Sequence, residues 1–228
     1  MTGEGSGVPL SGRRPALDAE LGQMRTQLMQ VGQLVATAME KAVWGLRDQN
    51  PDLCTAVIEG DAEVNEHHRA IRELCHRTIL IQQPVARDLR HVLSYERTSS
   101  ELERMGDHCV SIARIARSLC DLPDEPSSEG LGLLAGECQK QLVDILDAVE
   151  TADIEAAREV AERDAVVDHM YRRSFDSYVQ SMGAATGSAS RATGLVFVAH
   201  YLERIGDRVT NIAEDLIFAE TGAIEELG

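Results

Sequence analysis

The phrase Leu102-Glu103-Arg104-Met105-Gly106-Asp107 returns one hundred residues later as Leu202-Glu203-Arg204-Ile205-Gly206-Asp207, and no other feature restricts the fold as strongly. A second phrase repeats with it. Asp61-Ala62-Glu63-Val64-Asn65 is answered by Asp164-Ala165-Val166-Val167-Asp168, with Val57 and Glu59 matched by Val160 and Glu162. Phrases recurring in one order at a nearly constant offset mark an internal duplication, so the chain must fold as two copies of one unit.

That unit reads as helical. Residues 17–49 carry apolar side chains at helical spacing. Asn50-Pro51 then closes one helix and opens the next, because Asn caps and Pro suits a first turn. The second helix runs over 51–83 until Pro84 removes a hydrogen bond and stops it, and a third covers 85–120. Pro123, Pro126, Ser127 and Ser128 mark 121–130 as a linker. Three more helices follow at 131–150, 153–182 and 188–220, the last two separated by a loop at 183–187. Only 4% of residues are aromatic and six are Pro, which favours long helices over sheet. Short connections make successive helices antiparallel. The expectation is an all-α fold of two tandem three-helix bundles, six long helices in all, related by an internal pseudo-twofold axis. The chain then divides into a disordered lead (1–16), a first repeat (17–120), the linker (121–130) and a second repeat (131–221).

A formal net charge of −16 repels nucleic acids and anionic lipid, leaving cations and basic protein surfaces as natural partners. Cys54, Cys75, Cys109, Cys120 and Cys138 are odd in number and lack CxxC spacing, as expected of small core residues in a reducing compartment. No apolar stretch has the length of a signal peptide or a membrane span. The chain is therefore expected to be cytoplasmic and not membrane-inserted.

A helical wheel separates the core from the repeated acids. Leu102, Met105, Cys109, Ile112 and Ala116 form one stripe, as do Leu202, Ile205, Val209, Ile212 and Leu216. Glu103 and Asp107 point together away from that stripe, and so do Glu203 and Asp207; Glu96 shares the face in the first copy, with His200, Asn211 and Glu214 on or near it in the second. Like charges four residues apart disfavour a bare helix, so placing them there twice calls for a reason. Asp61 and Asn65, and in the second copy Asp164 and Asp168, flank the apolar stripe of the preceding helix. Their oxygens can face the repeated acids across a groove. Two oxygen pairs from neighbouring helices suit a metal cation with water completing the shell, and the expected ligand sets are Asp61, Asn65, Glu103 and Asp107, and Asp164, Asp168, Glu203 and Asp207. Gly106 and Gly206 are unexpected mid-helix, where Gly costs about 1 kcal/mol against Ala, and point to close helix approach or water access. On one copy alone, solvated surface is the commoner explanation of such acids. Duplication reverses that preference.

Glu73-Leu74-Cys75-His76 matches the Glu-x-x-His element of ferritin-like di-iron proteins, but only once, since Asp176 and Val179 break it in the second copy. A di-metal carboxylate oxidase or metal-storage bundle is thus one alternative, and a structural helical adaptor whose acids only solvate its surface is another. No phosphate-binding Gly loop, nucleophile elbow or triad is present, and the expectation is that the chain is not an enzyme. Nor does the sequence display a convergent set of Arg, Lys or helix N-termini. Phosphate is therefore not expected at a basic pocket, although a bound metal would offer it a place as a bridging ligand.

Glu103-Arg104-Met105-Gly106-Asp107-His108 and Glu203-Arg204-Ile205-Gly206-Asp207, the latter followed by Asn211-Ile212-Ala213-Glu214, resemble the paired acidic signature of the PhoU family of phosphate-transport accessory proteins. Gln82-Gln83-Pro84-Val85-Ala86 and Asp88-Leu89-Arg90 support the resemblance, which spans nearly everything from 17 to 220. It implies two three-helix bundles with metal at the repeated acids, iron or zinc foremost and manganese or magnesium as alternatives. It also implies an inhibitory role between the ATPase subunit of a phosphate ABC transporter and a sensor histidine kinase, in a homodimer, restraining uptake and phosphate-starvation signalling. Ser111 stands where the second copy has Asn211, and His108 where it has Arg208, so the two sites need not be equivalent.

Overall fold

The computed structural model describes residues 14–123, 126–183 and 188–227. Most of the expected lead, part of the linker (124–125) and most of the loop at 183–187 lie outside them. Helices α1 (Pro15–Arg47), α2 (Pro51–Gln82) and α3 (Ala86–Leu119) build the first half; α4 (Glu129–Thr151), α5 (Ile154–Glu162), α6 (Asp164–Ser181) and α7 (Ser188–Thr221) build the second. No strand interrupts them among the described residues.

The helix ends follow from local chemistry. The Asn50 side chain accepts the N–H groups of Asp52 and Leu53 at 3.0 and 3.2 Å, with Pro51 in the first turn of α2. Gln83 turns left-handed at φ 47° ahead of Pro84, which ends α2. Asp153 caps α5 through Glu155 and Ala156, both at 3.1 Å. One element departs from the sequence expectation, because the single helix expected over 153–182 is broken at Arg163. The guanidinium of Arg163 there reaches α4, where it pairs with Glu137 at 2.9 Å and with Asp144. Asp164, immediately after the break, becomes the first residue of α6.

α2 packs on α1 and α3, while α5 and α6 pack on α4 and α7. The bundles also meet, α1 against α4 and α3 against α7, so one continuous apolar core runs from Met24 to Leu216. Both predicted stripes lie in it. Leu102, Met105, Cys109 and Ile112 are fully buried, as are Leu202, Ile205 and Ile212. Cys54, Cys75, Cys109 and Cys138 are buried free thiols; Cys120 is partly exposed. Polar contacts fix α3 antiparallel to α7: Arg90 donates to the Ala219 carbonyl, Ser94 to that of Asp215, and Arg97 pairs with Asp215 at 3.1 Å. No helix is long and apolar enough to cross a membrane among the described residues.

Candidate functional site

Each cluster of acids is built where a glycine lets two helices close. A Cβ at Gly106 would stand 3.2 Å from Val64 Cγ1 and 3.6 Å from Asp61 Oδ1; at Gly206 the same atom would stand 3.0 Å from Val167 Cγ1 and 3.3 Å from Asp164 Oδ1. The absent side chain is therefore what brings the acid of the outer helix against the acids of the inner one, and the expectation of close helix approach holds at both positions.

In the first cluster Asp61 and Glu103 are partly buried and Asp107 is exposed. Burial, then the charge of Asp107, raises the Asp61 carboxyl above its ordinary range. Glu103 is raised by burial and then by Asp107 and Asp61, so the three acids sense one another. Asn65 does not simply present an oxygen outward. Its Nδ2 donates to Asp61 Oδ2 at 2.7 Å and relieves part of the crowding.

The second cluster is more crowded and more deeply set. Asp164 is raised by burial, then by Asp207 and Asp168. Glu203, whose side chain is 18% exposed, is pushed up to about 7 by burial and by Asp207, with Arg204 opposing. Its Oε2 is buried without a hydrogen-bond partner, with His200 Nδ1 3.5 Å away. Asp207 is raised by burial against the pull of Arg204 and Arg208. Arg204 pairs with Asp207 at 2.8 Å and Arg172 with Asp168 at 2.7 Å.

All eight predicted residues are thus gathered into two groups, one in each half. Among the described residues no three His, Cys, Asp or Glu side chains already stand in a metal-holding arrangement. The donor set nonetheless suits a cation: mutually repelling carboxylates on a shared groove, one of them with an orphaned buried oxygen, are stabilised by a hard positive charge. The di-iron-like element does not assemble in this way, since His76 turns to Glu96 at 3.2 Å. Sequence reasoning missed Arg208, which reaches across to Glu101 of α3 at 3.2 Å, and Glu226, which returns beside Asp164 and Asp207. Only the unequal pair His108 and Arg208 hinted at the first.

A long-helix duplication carrying two interhelical carboxylate clusters defines a class of tandem helical-bundle proteins with acidic grooves. The PhoU domain matches this chain twice, over residues 28–116 and 131–216, and the chain belongs to that family. It is 35% identical over 205 residues to the phosphate-specific transport system accessory protein PhoU of Escherichia coli K12, covering 90% of this chain and 85% of that one. It is 29% identical over 210 residues to a PhoU homolog of Clostridium acetobutylicum, covering 92% and 96%. Among solved structures, PhoU from Pseudomonas aeruginosa matches with a TM-score of 0.87 at 33% identity, covering 91% of this chain and 100% of that one. The phosphate transport system regulatory protein PhoU from Streptococcus pneumoniae matches with a TM-score of 0.85 at 28% identity, covering 92% and 99%.

Proposed function

We propose that this chain is a cytoplasmic, homodimeric accessory regulator of phosphate transport that restrains uptake and phosphate-starvation signalling by docking. Its partners are the ATPase subunit of a phosphate ABC transporter and a sensor histidine kinase. The observation that carries the reading is the match to PhoU proteins, over 91% of this chain in the Pseudomonas aeruginosa structure, which extends through both carboxylate clusters. In this role Asp61, Asn65, Glu103 and Asp107 hold one cation and Asp164, Asp168, Glu203 and Asp207 another, with iron or zinc preferred over manganese or magnesium. The cation neutralises acids that would otherwise force the groove apart.

An acidic helical surface on a chain of net charge −16 fits basic patches on both partners, and rim charge pairs accelerate association in a salt-sensitive way. The test is capture of the ATPase subunit and of the kinase by metal-loaded protein at low and raised salt. Capture that weakens with salt is expected. Failure to retain either partner at low salt would overturn the docking role.

A further inference from the structure

Of the eight Phe, Tyr and Trp residues in this chain, four (Tyr171, Phe175, Phe197 and Tyr201) lie on α6 and α7, and two histidines join their rings into a belt. It runs from Phe175 to Tyr171 at 6.1 Å between centroids and across to His200 at 6.3 Å, then to Tyr201 at 5.9 Å and to His108 of α3 at 5.6 Å. Phe197 stands one turn before His200 on α7. The belt is open to water: Phe197 is 50% exposed, Phe175 39% and the His200 side chain 45%. Packing within the chain does not account for it, because Leu195, Val198 and Leu202 already fill the core face of α7. Nor does the duplicated unit require it. At the matching positions the first half has His68, Arg72, Arg97, Ser100 and Glu101, of which His68 meets Ser99 at 2.8 Å, Arg97 meets Asp215 at 3.1 Å and Glu101 meets Arg208 at 3.2 Å. A contiguous apolar patch left in water marks a surface that something covers, and aromatic rings are the residues that carry most energy in such contacts.

Charge and size decide what covers it. Two copies of a chain with net charge −16 repel each other, and most strongly where acids would meet acids. Beside the rings the charges are already matched: Arg172 pairs with Asp168 at 2.7 Å, Arg204 with Asp207 at 2.8 Å and Arg208 with Glu101 at 3.2 Å. Glu203 is 18% exposed and presents little surface. The belt is thus a locally neutral, ring-bearing face on an acidic molecule, where a second copy can approach without stacking like charge. From Tyr171 to Val179 it extends about 12 Å along α6, and across α6, α7 and α3 about 18 Å. That is the scale of an interface core, and the matched ion pairs around it supply the polar rim that brings a stable contact to about 800 Å² per partner. We infer that this belt is the face through which two copies of the chain associate, α6 and α7 of one copy meeting α6 and α7 of the other about a twofold axis. An isologous contact of this kind sets rings on rings, in the offset or edge-on arrangements that aromatic pairs favour. The inference rests on the homodimer reading above and deepens it by assigning the surface.

The experiment is sedimentation equilibrium of the full chain across micromolar concentrations, with chelator present so that a shared metal is not the cause of association. Wild type is compared with Phe197→Ser, with Phe175→Ser plus Phe197→Ser, and with Leu133→Ser, which removes an equally apolar side chain, 68% exposed, from α4. Wild type is expected to dimerise, and raised salt should preserve or tighten the dimer by screening the repulsion between copies. The double variant should weaken it by on the order of 100-fold and Phe197→Ser by about tenfold, whereas Leu133→Ser should leave it unchanged. Both phenylalanines are partly exposed, so circular dichroism should show the helices intact, and the single variant carries the test if the double variant unfolds. A wild-type dimer equally strong in the folded phenylalanine variants, or one lost in Leu133→Ser, overturns this inference and leaves the homodimer reading standing. So does dissociation by salt, which marks an ionic interface. A wild type that stays monomeric throughout overturns both.

Discussion

Around Gly106 and Gly206 the two halves repeat one device to within a few tenths of an ångström, with a Val and an Asp of the outer helix seated against a missing Cβ. One turn away they part. The pseudo-twofold axis relates Glu101 to Tyr201 and His108 to Arg208. The ion pair Glu101–Arg208 at 3.2 Å is therefore mirrored by a ring contact, His108–Tyr201, with centroids 5.6 Å apart. Burial and the neighbouring Arg208 and Arg204 push His108 down to about 4, so this contact is neutral where its mirror is charged. Arg114 of the first half, which tempers Asp61, is replaced in the second by Glu214. The apolar stripe, the glycine and the repeated acids match between the halves, whereas the positions flanking those acids differ. The second half became the more acidic and more strained cluster.

That contrast is most severely tested by removing each acidic pair separately. Glu203→Ala with Asp207→Ala should lower cation affinity at the second cluster by on the order of 100-fold or more, since losing even an outer-shell partner of a metal costs 10–100-fold. Glu103→Ala with Asp107→Ala should spare that cluster and cost only the weaker site. Elemental analysis after dialysis against limiting metal reads both. Identical losses from the two double variants would mean that the halves are equivalent as cation sites, and unchanged metal in both would remove the acids from the role altogether.

A smaller effect follows from the glycines. Adding a Cβ in mid-helix gains about 1 kcal/mol of helix propensity, and overpacking a close contact costs about 1–3 kcal/mol. At Gly206 the new atom would meet Val167 at 3.0 Å and at Gly106 it would meet Val64 at 3.2 Å, both stiff β-branched side chains. Gly206→Ala should therefore destabilise by about 1 kcal/mol and Gly106→Ala by less, as read by urea denaturation of metal-free protein. A net gain in stability from Gly206→Ala would show that close approach is not the reason for the glycine.

Most of the fold was legible because its signals are local. Asn50-Pro51, Pro84 and the two apolar stripes depend on neighbours within a few turns, and the helices begin and end close to where those residues place them. The break at Arg163 was not, because it involves the distant pair Glu137 and Asp144 on α4, which no periodicity within 153–182 reports. The eight acidic-groove residues were legible through duplication. The surrounding donors were not. That Arg208 and Asn211 both reach Glu101 depends on packing between the halves, which the pattern of a single helix does not report.

The least disruptive change sharpens the comparison through pH. In metal-free protein, Glu203 titrates at about 7 when folded against an ordinary value of 4.5, because burial and Asp207 disfavour its charge. The sign follows from linkage. Below the ordinary value the carboxyl is protonated in both states and costs nothing. Between 4.5 and about 7 the unfolded chain ionises freely while the folded chain resists, so stability falls across this window and levels off above it. Glu203→Gln removes that fall and should stabilise the metal-free chain at about pH 8 by about 1 kcal/mol, after discounting for partial solvation, with no gain at about pH 4. Glu103 is raised as well but lies in the less crowded cluster, so Glu103→Gln should gain less. Divalent cation should invert the order, because it stabilises the ionised wild type and finds one ligand fewer in the variant. Thermal melts at both pH values, with chelator and then with manganese, read all four quantities. A Glu203→Gln protein no more stable than wild type at the higher pH without metal would remove the strain from the second cluster, and with it the distinction between the halves.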